Sequence, residues 1–115
     1  MANDFKNAIA QNVSNSAGGT TIYTTPATKT SIMLELDIAN TTTSVIEASV
    51  EVLDSSVSAS AWRYLVKNAP VPTGGSLMVI AGQKIVLEAG DKVRVTSSAA
   101  SSMDVVAAIL DDVIC

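Results

Sequence analysis

Two stretches of this chain alternate between an apolar and a more polar face, and that period of two constrains the fold most. In Ser31–Asn40, "SIMLELDIAN", Ile32, Leu34, Leu36 and Ile38 fall on one face and Met33, Glu35 and Asp37 on the other. In Val45–Leu53, "VIEASVEVL", Ile46, Ala48, Val50 and Val52 point one way, with Glu47 and Glu51 opposite. Side chains alternate sides along a strand, so both read as half-buried strands. The turn "NTTTS" lies between them.

Shorter segments extend the pattern. "TTIYTT" at Thr20–Thr25 is β-branched and aromatic and stops at Pro26. Ala61–Asn68 places Trp62, Tyr64 and Val66 on one face and Arg63, Leu65 and Lys67 on the other. Pro70 and Pro72 follow, then Gly74-Gly75. Proline has no N–H for a ladder, so "APVPT" is expected at a sheet edge or on a crossing between sheets. Ser76–Gly82 and Lys84–Ser97 supply further strands, the second broken by a tight turn at Gly90-Asp91. In Met103–Cys115, Ala107, Ala108 and Leu110 suit a helix, but the segment lacks a capping box and is rich in Val and Ile, so the expectation is a strand buried on both faces, with a helix as the alternative. The whole predicts an all-β, single-domain β-sandwich or jelly roll of about seven or eight short antiparallel strands.

The first sixteen residues differ. Phe5, Ile9 and Val13 fall at i, i+4 and i+8, one face of a helix. About four turns are marginal for an isolated helix. The expectation is an arm that orders against a neighbour, or a solvated tail. Residues 1–19 are thus an arm and hinge, with "SAGG" at Ser16–Gly19 as the hinge, and residues 20–115 the sandwich.

Chemistry is sparse. There is no histidine, which removes the usual general base and the commonest metal ligand. The single cysteine, Cys115, can form neither an intrachain disulfide nor a zinc site and reads as a spectator. The net charge is −4, with Lys and Arg scattered singly, so direct nucleic-acid binding is not expected. The N-terminus carries no secretory pattern, and no apolar run reaches the roughly 18–20 residues that span a bilayer. A protein made in a cytoplasm, without a membrane partner or cofactor, is expected.

Asp104, Asp111 and Asp112 lack the spacing of a calcium loop and read as solvent-exposed strand ends. Glu35, Asp37, Glu47 and Glu51 read as outward polar rows and not as a glycosidase pair. Trp62 and Tyr64 suit core packing, a protein–protein anchor or a sugar-stacking platform. Charged residues make up 16% of the chain, below the roughly 25% of an average soluble protein. A surface partly covered by neighbours accounts for that.

The strings "TTIYTTPATKTSIMLELDIAN" and "YLVKNAPVPTGGSLMVIAGQKIVLEAGDKVRVTSSAASSMDVVAAIL" carry a resemblance, as does the arm "MANDFKNAIAQNV". They are similar to small virion structural proteins of tailed bacteriophages, frequent in phages of marine bacteria and cyanobacteria. The resemblance implies a non-enzymatic part of the particle, held by the major capsid protein or another virion protein. A capsid decoration (cement) protein at the capsid surface, as a homotrimer, is the first expectation. A neck or tail component, such as a head–tail connector or fibre-anchoring protein, is the second, and a carbohydrate-binding adsorption module the third. Phe5, Ile9, Val13, Trp62, Tyr64, Pro70 and Pro72 are the expected partner contacts.

Overall fold

The alternating segments form strands, and the strands nest. A computed structural model describes residues 4–16, 18–58 and 61–112, and for 81–83 the backbone only. The strands are β1 (Asp4–Ala10), β2 (Thr20–Thr24), β3 (Ser31–Asn40), β4 (Ile46–Leu53), β5 (Trp62–Val71), β6 (Ser76–Leu87), β7 (Lys92–Ser97) and β8 (Met103–Asp111). They make two four-stranded sheets, ordered β1-β8-β3-β6 and β2-β7-β4-β5. We call these sheet A and sheet B.

Every pairing is antiparallel. First pairs with last, second with seventh, third with sixth and fourth with fifth. That nesting is the pattern of one long hairpin rolled up on itself, an eight-stranded jelly roll. The expected all-β sandwich is what forms. Its core lies between the sheets: Met33, Leu36, Ile38, Leu87, Met103, Val105 and Ile109 from sheet A meet Val50, Val93 and Val95 from sheet B, all fully buried. Both sheets supply β-branched side chains that suit a pleated, packed surface.

Four details depart from the sequence reading. The first is the arm. Residues 4–10 are no helix: they form β1, paired to β8 through seven consecutive residues. Phe5 and Ile9 lie four apart, an even interval, so they share a strand face as readily as a helix face. β8 offers backbone partners along the whole segment, which a short lone helix lacks. Val13 then turns into the core, and its N–H donates to the Met103 carbonyl at 3.0 Å.

The second is β3. Its register slips against both neighbours between Met33 and Glu35, with Leu34 the extra residue opposite β8. A bulge of one residue exchanges inside for outside. Met33 is therefore buried while Ile32 and Leu34 are only partly so, and Leu36 and Ile38 are inward beyond the slip. The third is β5, with two slips against β4. They separate Trp62 and Tyr64 from Val66, which packs on the core. The fourth is β8, a strand as expected but buried on one face: Met103, Val105, Ala107 and Ile109 are inside, and Val106 is 50% exposed. A two-layer sandwich covers each sheet once.

The proline segment is where the sequence put it. β5 is an edge of sheet B, and the chain leaves it for β6 in sheet A. Pro70 lies in that edge strand, and the Pro72 carbonyl accepts the Gly75 N–H at 2.9 Å in the crossing turn. A missing N–H and two bulges hinder further strand pairing there. Asn40 braces the crossing: its side-chain amide donates to the Val71 carbonyl at 3.1 Å and the Ser44 carbonyl at 2.7 Å.

Gly19, in the segment that the sequence suggested as a hinge, has φ +54° and packs directly against the backbone carbonyl of Val95. Any Cβ there collides with main chain that cannot yield. Gly19→Ala is expected to lower stability by more than about 1 kcal/mol, read as a drop in the urea or thermal midpoint. An unchanged midpoint would show the hinge to be loose.

Candidate functional site

The carboxylates come first, because they are the side chains that could do chemistry. Asp111 is buried at the end of β8, not solvent-exposed as the sequence suggested. Tyr23 of β2 and Ser31 of β3 each donate a hydroxyl hydrogen bond to its Oδ1, at 2.9 and 2.7 Å. Lys6 of β1 reaches Oδ2 at 2.9 Å. The Lys6 hydrogen bond, with help from the two hydroxyls, holds the Asp111 carboxyl well below the usual carboxylate range against the cost of burial. Burial pushes the Tyr23 phenol up. Four strands, one of them from the other sheet, are tied at one point.

Asp104 and Asp112 are partly buried. Asp104 accepts the Asn12 N–H at 3.3 Å, and Asp112 faces Lys29 at 3.7 Å. Asp54, Glu88 and Asp91 place carboxylate oxygens within 4.8 Å of one another. The buried Asp91 uses both of its oxygens. Oδ1 accepts from the Ser55 N–H and hydroxyl, each at 2.9 Å, and Oδ2 from the Glu88 N–H at 2.9 Å. This fastens the β4–β5 loop to the β6–β7 turn. The Gly90-Asp91 turn was visible in the sequence, but its long-range partner Ser55 was not.

The two outer faces differ sharply. Sheet B carries Glu47, Ser49 and Glu51 on β4 and Lys92, Arg94 and Thr96 on β7, opposite its buried Val and Ala positions. That is the composition of a solvated face. Arg94 grips Glu51 through two hydrogen bonds, Nε–Oε1 at 3.1 Å and Nη2–Oε2 at 3.0 Å. Its guanidinium lies 3.8 Å from the centre of the Trp62 ring. The Lys67 ammonium stands 5.2 Å from the Tyr64 ring. One side of the indole is thus already occupied by a cation.

Sheet A is different. The registers align Phe5, Leu110, Ile32 and Val86 in one row across β1, β8, β3 and β6. A second row runs Ile9, Val106, Asp37 and Met78. All of these lie on the side away from the core. Phe5 is 77% exposed, Ile9 73%, Val86 63% and Met78 57%. A shallow depression lined by Ile9, Ala10, Gln11, Asp104, Val105 and Val106 adjoins the second row. A solvated sheet face normally alternates to polar residues here.

The expected contact residues therefore separate. Phe5 and Ile9 are on the outer face of sheet A. Trp62 and Tyr64 are on the outer face of sheet B, with Trp62 half-buried and Tyr64 51% exposed; neither joins the core. Pro70 and Pro72 are exposed at the β5 edge. Val13 is in the core and free to touch no partner. Cys115 lies outside the described residues. The residues that sequence reading missed are Ile32, Met78, Val86, Val106 and Leu110. For Val106 and Leu110 the signal was the run of apolar residues that made β8 look buried on both sides; Ile32, Met78 and Val86 lie on β3 and β6 and join them only through the strand registers. Comparison with protein families, with curated proteins and with solved structures finds no match for this chain.

Two outcomes follow from this geometry. The Asp111 carboxyl takes up a proton less readily in the folded chain than in the unfolded one. Its contribution is therefore present above about pH 4 and is lost as pH falls below that. Thermal midpoints measured across the acid range should fall less steeply in Asp111→Asn than in the parent, and equal slopes would remove Asp111 from the acid transition. Arg94→Ala leaves the largely buried Glu51 carboxylate unpaired and uncovers the indole. A loss of about 2–3 kcal/mol in chemical denaturation is expected, and Arg94→Lys should recover part of it.

Proposed function

We propose that this chain is a non-enzymatic structural protein of a tailed-phage particle, and that it decorates the capsid. One observation carries the reading: sheet A presents exposed apolar side chains across all four strands on its outer side, while on sheet B that side is polar along β4 and β7 and its aromatic residues, Trp62 and Tyr64, lie against cations. A sandwich of this kind is built to be covered on one side. Contiguous exposed apolar patches beyond a few hundred Å² mark interaction surfaces. The polar clusters are consistent with a structural role, since Asp111, Asp91 and Glu51 spend their oxygens on neighbouring strands and loops.

The likeness of the sequence to small virion proteins supplies the particle, and the jelly-roll fold agrees with it as analogy alone. The major capsid protein is the proposed partner and the capsid surface the proposed place, reached after synthesis in the host cytoplasm. Trp62 supports this reading over a sugar-binding one, because Arg94 fills one side of its ring.

The test uses purified protein and heads that lack it. The protein should co-sediment with heads, raise the temperature at which they break, and show a trimer mass by light scattering. Pelleting with necks or tails and not with heads would move it to the connector region. Retention on host glycan alone would replace the structural role with adsorption.

A further inference from the structure

The outer face of sheet A has a second property besides being apolar. The charged residues that the paired registers place on it are Glu35 and Asp37 on β3 and Asp104 on β8, all acidic, while Lys84 is exposed in the stretch of β6 between Ala81 and Ile85, outside the paired register. Glu35 lies between the two apolar rows, Asp37 sits within the second, and Asp104 is just beyond it. Asp37 Oδ1 is out of contact with solvent and has no hydrogen-bond partner. A buried acceptor without a donor is costly, and a carboxylate especially so. A partner's side chain cannot reach an oxygen closed to solvent, so a cation brought against this carboxylate would meet the other oxygen and offset part of that cost through a charge-assisted hydrogen bond.

We infer that this face receives a surface of the capsid shell that is apolar at its rim and carries a Lys or Arg at its centre, and that the occupant is not a second copy of this chain. The inference rests on the decoration reading above. Phe5, Leu110, Ile32 and Val86 form the apolar contact at one end of the sheet, with Ile9, Val106 and Met78 towards the other. The cation docks between them, beside Glu35 and Asp37.

Charge argues against self-pairing. Full overlap of two such faces about a two-fold axis would bring Glu35 and Asp37 near their own copies, and like charges placed together across an interface are strongly unfavourable. Sliding the copies until only the Phe5 rows meet avoids this but confines the contact to one row of four side chains on each copy. Attachment to a shell tolerates a small patch, because many copies on one particle share neighbours and the apolar rows exclude water around a single strong pair.

The experiment compares Glu35→Lys, Val106→Glu and Glu47→Lys with the parent for binding to heads that lack the protein, by sedimentation over a range of concentrations. Circular dichroism and thermal melting confirm that each variant folds. Glu35 and Glu47 are both exposed on strands and change the net charge equally, but Glu47 is on sheet B. Glu35→Lys and Val106→Glu are each expected to weaken binding at least about tenfold, and Glu47→Lys to stay within about twofold. If the parent binds and Glu35→Lys matches Glu47→Lys, the inference fails and the decoration reading stands. If light scattering shows an oligomer that Val106→Glu dissociates, a second copy covers the face and the inference fails. If the parent binds no heads, the decoration reading falls and takes the inference with it.

Discussion

The last strand, β8, lies between the first and the third, and the closure of the fold depends on that position. It pairs with β1 through seven uninterrupted residues and with β3 along nearly its whole length. Because the pairings nest, the β1–β8 pair is the outermost turn of the roll, with every other strand between them in the chain. Asp111, at the end of β8, then fixes the result. It draws Lys6, Tyr23 and Ser31 from three other strands, one of them in the opposite sheet. A carboxylate in that position is tolerable only with all its partners present, since each unpaired buried group is costly.

Bulges decide what each sheet shows to its surroundings. The slip at Leu34 brings Met33 inside and sends Ile32 out to join Phe5, Leu110 and Val86. The slips in β5 put Val66 on the core and leave Trp62 and Tyr64 outside, where Arg94 and Lys67 meet their rings. Each slip changes a face's parity without changing the strand order. The same device sets the apolar rows of sheet A and the aromatic-cation pairs of sheet B.

The two outer faces therefore carry different burdens. Sheet B is finished as a monomer surface, with its one buried acid on that side paired to Arg94. Sheet A remains apolar and acidic at once, a combination that water satisfies poorly and a partner with a buried cation satisfies well. The proposed seat on a capsid shell uses the unfinished face and leaves the finished one to solvent.

The sequence by itself determined the class of fold. Period two in Ser31–Asn40 and Val45–Leu53, with proline and glycine between segments, requires strands that bury one face, and Pro70 and Pro72 require an edge and a crossing. It also held the excess of apolar residues in β8. It could not say whether Phe5 and Ile9 sit on a helix or a strand, because an interval of four satisfies both periods until a pairing partner is known. Nor could it locate the bulges, which appear only when two strands are aligned. The sidedness of Ile32, Trp62 and Tyr64, the partners of Asp111, and the meeting of Phe5, Leu110, Ile32 and Val86 were decided by tertiary structure alone. They join residues far apart in the chain, and only the registers of folded strands bring those together.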